Sequence, residues 1–143
     1  MTEVVELEIP ARAEFVGIAR MAVSALAGVR PGLQYERVDD LRIVVSEACT
    51  SAIEAAADQA GRVTVRCFDS ADQLEVRIEA AAGAFDSAVA PGGPGAPPEA
   101  DATRGSDEFR ISLIRSLVDD VEVRPSAVGT ELRLVVRRDA IED

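Results

Sequence analysis

Apolar positions along this chain recur at two periods, and the alternation between them predicts its elements. The longest helical pattern covers residues 38–57, VDDLRIVVSEACTSAIEAAA, with no Gly or Pro inside it. Val38, Leu41, Val45, Ala48, Ala52 and Ala56 fall at the three- and four-residue steps of a buried stripe. Asp39 or Asp40 places a carboxylate near its start, where the helix dipole favours negative charge. A second helical pattern covers residues 11–26, with Phe15, Ile18, Ala19, Ala22 and Leu26 as its stripe and Gly28 beyond its end. A third covers residues 107–121, with Phe109, Leu113, Leu117 and Val121 on one face and Ile114 and Val118 widening it. Between and around them run strand patterns of period two. These are residues 4–9 (VVELEI, stopped by Pro10), 62–68 (RVTVRCF), 74–79 (LEVRIE), 121–124 and 130–137 (TELRLVVR). Turns are expected at 58–61, 69–72 and 125–129, and the second and third strands read as a hairpin.

Residues 87–106, SAVAPGGPGAPPEADATRGS, break both periods. They hold four of the seven prolines and four of the ten glycines, so they read as a flexible, lid-like loop. The resulting order is strand, helix, helix, strand, strand, loop, helix, strand, strand. It predicts an α+β two-layer sandwich, with helices on one face of a mixed, mainly antiparallel sheet, built as one domain over residues 1–143.

Composition narrows the chemistry. Apolar residues reach 48% but aromatics only 3%, so the core must be aliphatic. The net charge of −11 repels phosphate backbones, which argues against direct nucleic-acid binding and favours a basic partner surface. No stretch is long and apolar enough for a membrane span, and the acidic start, MTEVVELEIP, is unlike a signal peptide. Cys49 and Cys67 lie in apolar settings without CxxC spacing and read as buried free thiols in a reducing cytoplasm. The absence of His excludes histidine bases and histidine metal ligands, and with them most zinc enzymes and Ser-His hydrolases.

Two polar pairs stand out on the central helix. Glu47 and Ser51 are four residues apart and share one face, and Ser46 and Thr50 form a second pair beside them. Alone, they are what a core helix with a solvated polar edge would carry.

Three words in this order give them more meaning. DLRIVVSEACTSAIEAA, RIEAAAGAFD, and SLIRSLVDDVEV followed by GTELRL resemble the boxes of the anti-sigma factor kinases of the RsbW and SpoIIAB type. These belong to the Bergerat (GHKL) ATP-binding superfamily, and the resemblance runs from about Glu6 to Arg137. It implies an ATP and magnesium site. The family's activating glutamate falls on Glu47 and its magnesium-holding asparagine on Ser51, whose hydroxyl has a shorter reach. The adenine-reading aspartate falls on Ala80, which has no acceptor. Two glycines of the second box fall on Ala82 and Ala84, with Gly83 displaced. The phosphate-approaching glycine-rich turn of the last box falls on Asp107, Glu108, Phe109 and Arg110, where the two acids would set negative charge beside a triphosphate. Thr130 matches the family's threonine on the closing strand.

The resemblance therefore implies an anti-sigma regulatory factor that works by partner switching. It would sequester a sigma factor and be displaced by a STAS-domain anti-anti-sigma protein. It would be cytoplasmic and homodimeric, with lost or weak ATP binding. Arg12, Glu14 and Arg20 on the first helix are candidate partner contacts. The alternative is an active serine/threonine kinase that phosphorylates its STAS antagonist, with Glu47 as base and Ser51 as metal ligand. A third reading is a pocket retargeted to another small molecule.

Overall fold

The computed structural model describes residues 2–56, 61–85 and 102–140, the side chains of 102–108 excepted. Five strands form one antiparallel sheet: β1 (Glu3–Pro10), β2 (Arg62–Asp69), β3 (Gln73–Ala81), β4 (Asp120–Ser126) and β5 (Gly129–Arg137). Their spatial order is β1-β2-β3-β5-β4. Every pairing is antiparallel, so the expected parallel admixture is absent among the described strands. Three helices lie among the described residues, α1 (Val16–Ala27), α2 (Tyr35–Ala55) and α3 (Ala102–Leu117), with a 3-10 turn at Ala13–Phe15 ahead of α1. No described helix is long and apolar enough to cross a membrane.

The two-layer reading follows from strand alternation. Val63, Val65 and Cys67 on β2, Leu74, Val76, Ile78 and Ala80 on β3, and Leu132, Leu134 and Val136 on β5 all point to one buried face. The helices cover that face, α2 lying against β3 and α1 against β1 and β2. α2 contributes Leu41, Val44, Val45, Ala48, Cys49 and Ala52 to an aliphatic core in which Phe85 is the fully buried aromatic. The opposite face carries paired charges. Glu75 accepts from Arg77 at 2.6 Å and from Arg133 at 2.8 Å, and Arg77 lies 4.1 Å over the Phe68 ring.

Several boundaries differ from the periodicity, each for a local reason. α2 starts at Tyr35, so Glu36 is its first-turn acid and Asp39 and Asp40 fall deeper in. On α1 the expected Ala19 is buried and Phe15 and Leu26 pack against the core, but Val23 and Ala27 take the other fully buried places and Ile18 is left 48% exposed. On α3 the buried residues are Ile111 and Ile114, and Phe109 points outward, 70% exposed. α3 also begins at Ala102, inside the stretch read as loop. The prolines end at Pro98, and a single Gly105 costs a helix only about 1 kcal/mol. Pro125 lies within β4, opposite Thr130. It is accommodated because β4 is an edge strand, where a missing N–H costs no ladder bond. The rest of the 87–106 stretch, up to residue 101, and most of the 58–61 turn lie outside the described residues.

The far end of the sheet is stapled by ion pairing. Arg138, fully buried, donates to Asp69 (2.6 Å), to the carbonyl oxygens of Ala27 (3.1 Å) and Arg30 (2.8 Å), and to that of Ser70 (3.2 Å). Arg30 adds a second guanidinium on Asp69 at 3.0 Å.

Candidate functional site

The residues singled out in the sequence fall in two groups, Ala80 and Thr130 at the paired ends of β3 and β5, and Glu47, Ser51 and Arg110 between α2 and α3. Ala80 is the last buried residue of β3, 2% exposed, and its partner across the ladder is Thr130. Thr130 shares the core-facing parity of Leu132 and Leu134, so it lies beside Ala80 on the same face of the sheet. Its hydroxyl donates to the Arg124 carbonyl at 3.4 Å. Gly129 makes this neighbourhood possible. Its φ is +154°, and a Cβ there would sit 2.4 Å from the Ala82 nitrogen and 2.6 Å from the Ala80 oxygen. Only a residue without a side chain lets the β4–β5 turn close on the end of β3.

Beyond Ala81 the chain turns through Ala82, Gly83 and Ala84 to the buried Phe85. The Ala84 N–H donates to the Ala81 carbonyl at 3.2 Å. Gly83 takes the positive φ, +94°, so the turn keeps one glycine where the conformation demands it. Ala82 and Ala84, at the family's glycine positions, do not need one.

A pocket of about 370 Å³ opens at this corner, with Ala52, Ala56, Ala80, Ala81 and Val128 among its walls. That volume is at the lower end for a small-ligand site. The walls next to Ala80 are methyl groups. The polar residues Glu8, Arg62, Thr64 and Glu79 also line it, from the other side of the sheet, where Thr64 and Glu79 face each other across the ladder and Arg62 pairs with Glu8 at 2.8 Å.

One helical turn along α2 the character changes to charge. Glu47, Ser51 and Glu54 lie at i, i+4 and i+7 on one face. Ser51 is 6% exposed, so this polar edge is not simply solvated. Arg110 of α3 reaches all three. Its Nε donates to Glu47 at 2.9 Å, and its Nη1 donates to Glu54 at 3.0 Å and to Ser51 at 3.1 Å. Burial by itself would lower the guanidinium's hold on its proton. The hydrogen bond to Glu54 and the charges of Glu54 and Glu47 outweigh that, and its pKa lies above the ordinary value. Glu54 was not singled out in the sequence, although its spacing from Glu47 and Ser51 was visible there. Ser46 and Thr50 are engaged locally: Ser46 donates to the Arg42 carbonyl at 2.8 Å and accepts from Arg20 at 3.2 Å, and Thr50 donates to the Ser46 carbonyl at 2.7 Å.

The positions of the expected glycine-rich turn, residues 107–110, are helical. Asp107 and Glu108 ride on α3, and their side chains lie outside the described atoms. On α1 and its approach, Arg12 pairs with Glu14 at 3.2 Å, both well exposed. Among the described residues no three acidic or cysteine side chains converge as a metal-binding group.

Residues 9–136 match the histidine kinase-like ATPase domain family. The chain is 32% identical to a serine-protein kinase RsbW of Bacillus licheniformis over 97% of its length and 89% of the relative's. It is 35% identical to serine-protein kinase RsbW of Bacillus subtilis over 84% of this chain and 77% of that one. The protein of that name in Listeria monocytogenes is 33% identical over 86% and 80%. With a family match over most of its length and identities above 30% to relatives it largely covers, this chain belongs to the histidine kinase-like ATPase domain family, among relatives of the serine-protein kinase RsbW.

Proposed function

We propose that this chain is an anti-sigma regulatory factor that acts by contact. It binds a sigma factor, yields it to a STAS-domain competitor, and has lost tight binding of magnesium ATP. The family reading supplies the sigma-factor and STAS partners, the homodimer and the cytoplasmic setting. The acidic charge of −11 suits a basic partner surface.

The observation that carries the loss of nucleotide is Ala80. A buried methyl stands where the family reads the base, and its neighbours Ala52 and Ala56 are also alanines. A site that hydrogen-bonds its ligand discriminates strongly, and the Ala80 side chain, with Ala52 and Ala56 beside it, offers an adenine amino group no acceptor. The metal half of the site does not fit either. Magnesium takes oxygen ligands at about 2.0–2.1 Å in an octahedral shell, while one carboxylate oxygen each of Glu47 and Glu54 and the Ser51 hydroxyl accept from the Arg110 guanidinium at 2.9–3.1 Å, which sets a cation where the ion would sit. Glu47 and Glu54 already outweigh Arg110 by one charge, so a triphosphate approaching them meets repulsion. Phosphoryl transfer needs nucleotide and metal fixed in line, and this pairing of α2 with Arg110 provides for neither.

The test is a reconstitution with a sigma factor, a STAS protein and labelled ATP. The expected outcome is a stable complex with the sigma factor without nucleotide, released by unmodified STAS protein, and no label on that protein. Label transfer that is abolished by Glu47→Ala would overturn the proposal and make the kinase reading the right one.

A further inference from the structure

We infer that Arg110 is a built-in counter-cation for α2: it takes the place of a metal ion on the Glu47–Ser51–Glu54 face and clamps α3 shut over it. This rests on the reading of the site given above and concerns how the site is closed. Three observations carry it. The first is the three-point contact, in which one guanidinium meets two carboxylates and a hydroxyl at 2.9, 3.0 and 3.1 Å. The guanidinium fork reaches them from two nitrogens, Nε and Nη1, which a single ammonium nitrogen does not reproduce. The second is burial. The Arg110 side chain is 14% exposed and Ser51 6%, so the contact lies within the α2–α3 seam, although Glu54 is 55% exposed at its outer end. The third is backbone conformation. Residues 107–110 continue the helix, which carries Arg110 onto α2 beside the apolar anchors Ile111 and Ile114.

The consequence is an autoinhibitory contact. The acidic face of α2 is satisfied from inside the chain, and α3 is fastened without help from a ligand. Without the guanidinium, Glu47 and Glu54 would lie on one helix face around a buried hydroxyl with no cation between them, an arrangement that invites a divalent ion. In the intact chain that demand is already met.

The experiment is thermal unfolding of the unaltered protein, Arg110→Ala and Arg110→Lys, each with and without millimolar manganese chloride and with no nucleotide present. The unaltered protein should melt at the same temperature in both conditions. Arg110→Ala, a good helix former that loses only the clamp, should melt roughly 5 °C lower and should recover part of that loss in manganese, because an ion that binds only the folded state raises its stability. Arg110→Lys should fall between, since an ammonium keeps the charge but gathers its donors on one nitrogen, whereas the guanidinium reaches its partners from two. A manganese-induced rise in the unaltered protein equal to that of Arg110→Ala would overturn the inference, as would an Arg110→Ala variant with unchanged melting and no response. Because no nucleotide is used, either failure leaves the anti-sigma reading standing. ATP binding by the unaltered protein would sink that reading without altering these melts.

Discussion

Replacing Arg138 by Met should be among the most damaging single changes in this chain, although it lies far from the α2–α3 seam. The side chain is 0% exposed, and its partner Asp69 is 1% exposed. Removing the guanidinium strands three carbonyl oxygens, one of them on the last residue of α1, and leaves Asp69 with Arg30, which is itself 28% exposed. Breaking one side of a buried ion pair costs about 3–5 kcal/mol. The surviving Arg30 contact places the expected loss near the lower end, about 3 kcal/mol, against a total of about 5–15 kcal/mol for a domain. With a urea slope of about 2 kcal/mol per molar, the unfolding midpoint should fall by about 1.5 M. The double variant Arg138→Met with Asp69→Leu should regain part of this, because it removes the uncompensated carboxylate as well as its partner. A midpoint drop below about 0.5 M, or a double variant no more stable than Arg138→Met, would refute the reasoning.

Gly129→Ala should destabilise by more than a surface change, since its Cβ would meet backbone atoms at 2.4–2.7 Å at a positive φ; strained backbone costs about 1–3 kcal/mol, which equilibrium urea unfolding would resolve, and an unchanged midpoint would count against the close approach. Burial pushes the Cys49 and Cys67 thiols up to about 12, with the Asp69 charge adding to the effect at Cys67. Both should therefore resist a disulfide reagent at mildly alkaline pH in the folded protein and react once it is unfolded; rapid labelling of the native protein would contradict the packing. Each thiol holds its proton more tightly folded than unfolded, so the stability it contributes is complete below pH 9 and declines as pH rises from 9 toward about 12.

The sheet was legible because its strands alternate cleanly: Val63, Val65 and Cys67 could point one way only, and the hairpin from β2 to β3 followed. α2 was legible from an uninterrupted helical stripe. Phase was harder. On α1 and α3 more apolar residues are available than the core can take, so Ile18 and Phe109 were placed inward although tertiary packing uses Val23 and Ile111. The positions of Ala80 and Thr130 were each readable, but not their adjacency, which comes from strand order and from Gly129. The Arg110 contact joins residues about sixty positions apart, and nothing local announces it. The part that was visible, Glu47, Ser51 and Glu54 on one face, gains its meaning only when α3 lays a guanidinium across it.

The most direct test of the central claim is calorimetric titration of the unaltered protein with ATP and magnesium. If this chain regulates by contact alone, millimolar nucleotide should give no binding heat, in keeping with a buried Ala80 and carboxylates already paired to Arg110. A saturable isotherm with micromolar affinity would contradict it. The Ala80 corner of the pocket and the α2–α3 clamp would then have to open to a nucleotide that their geometry argues against.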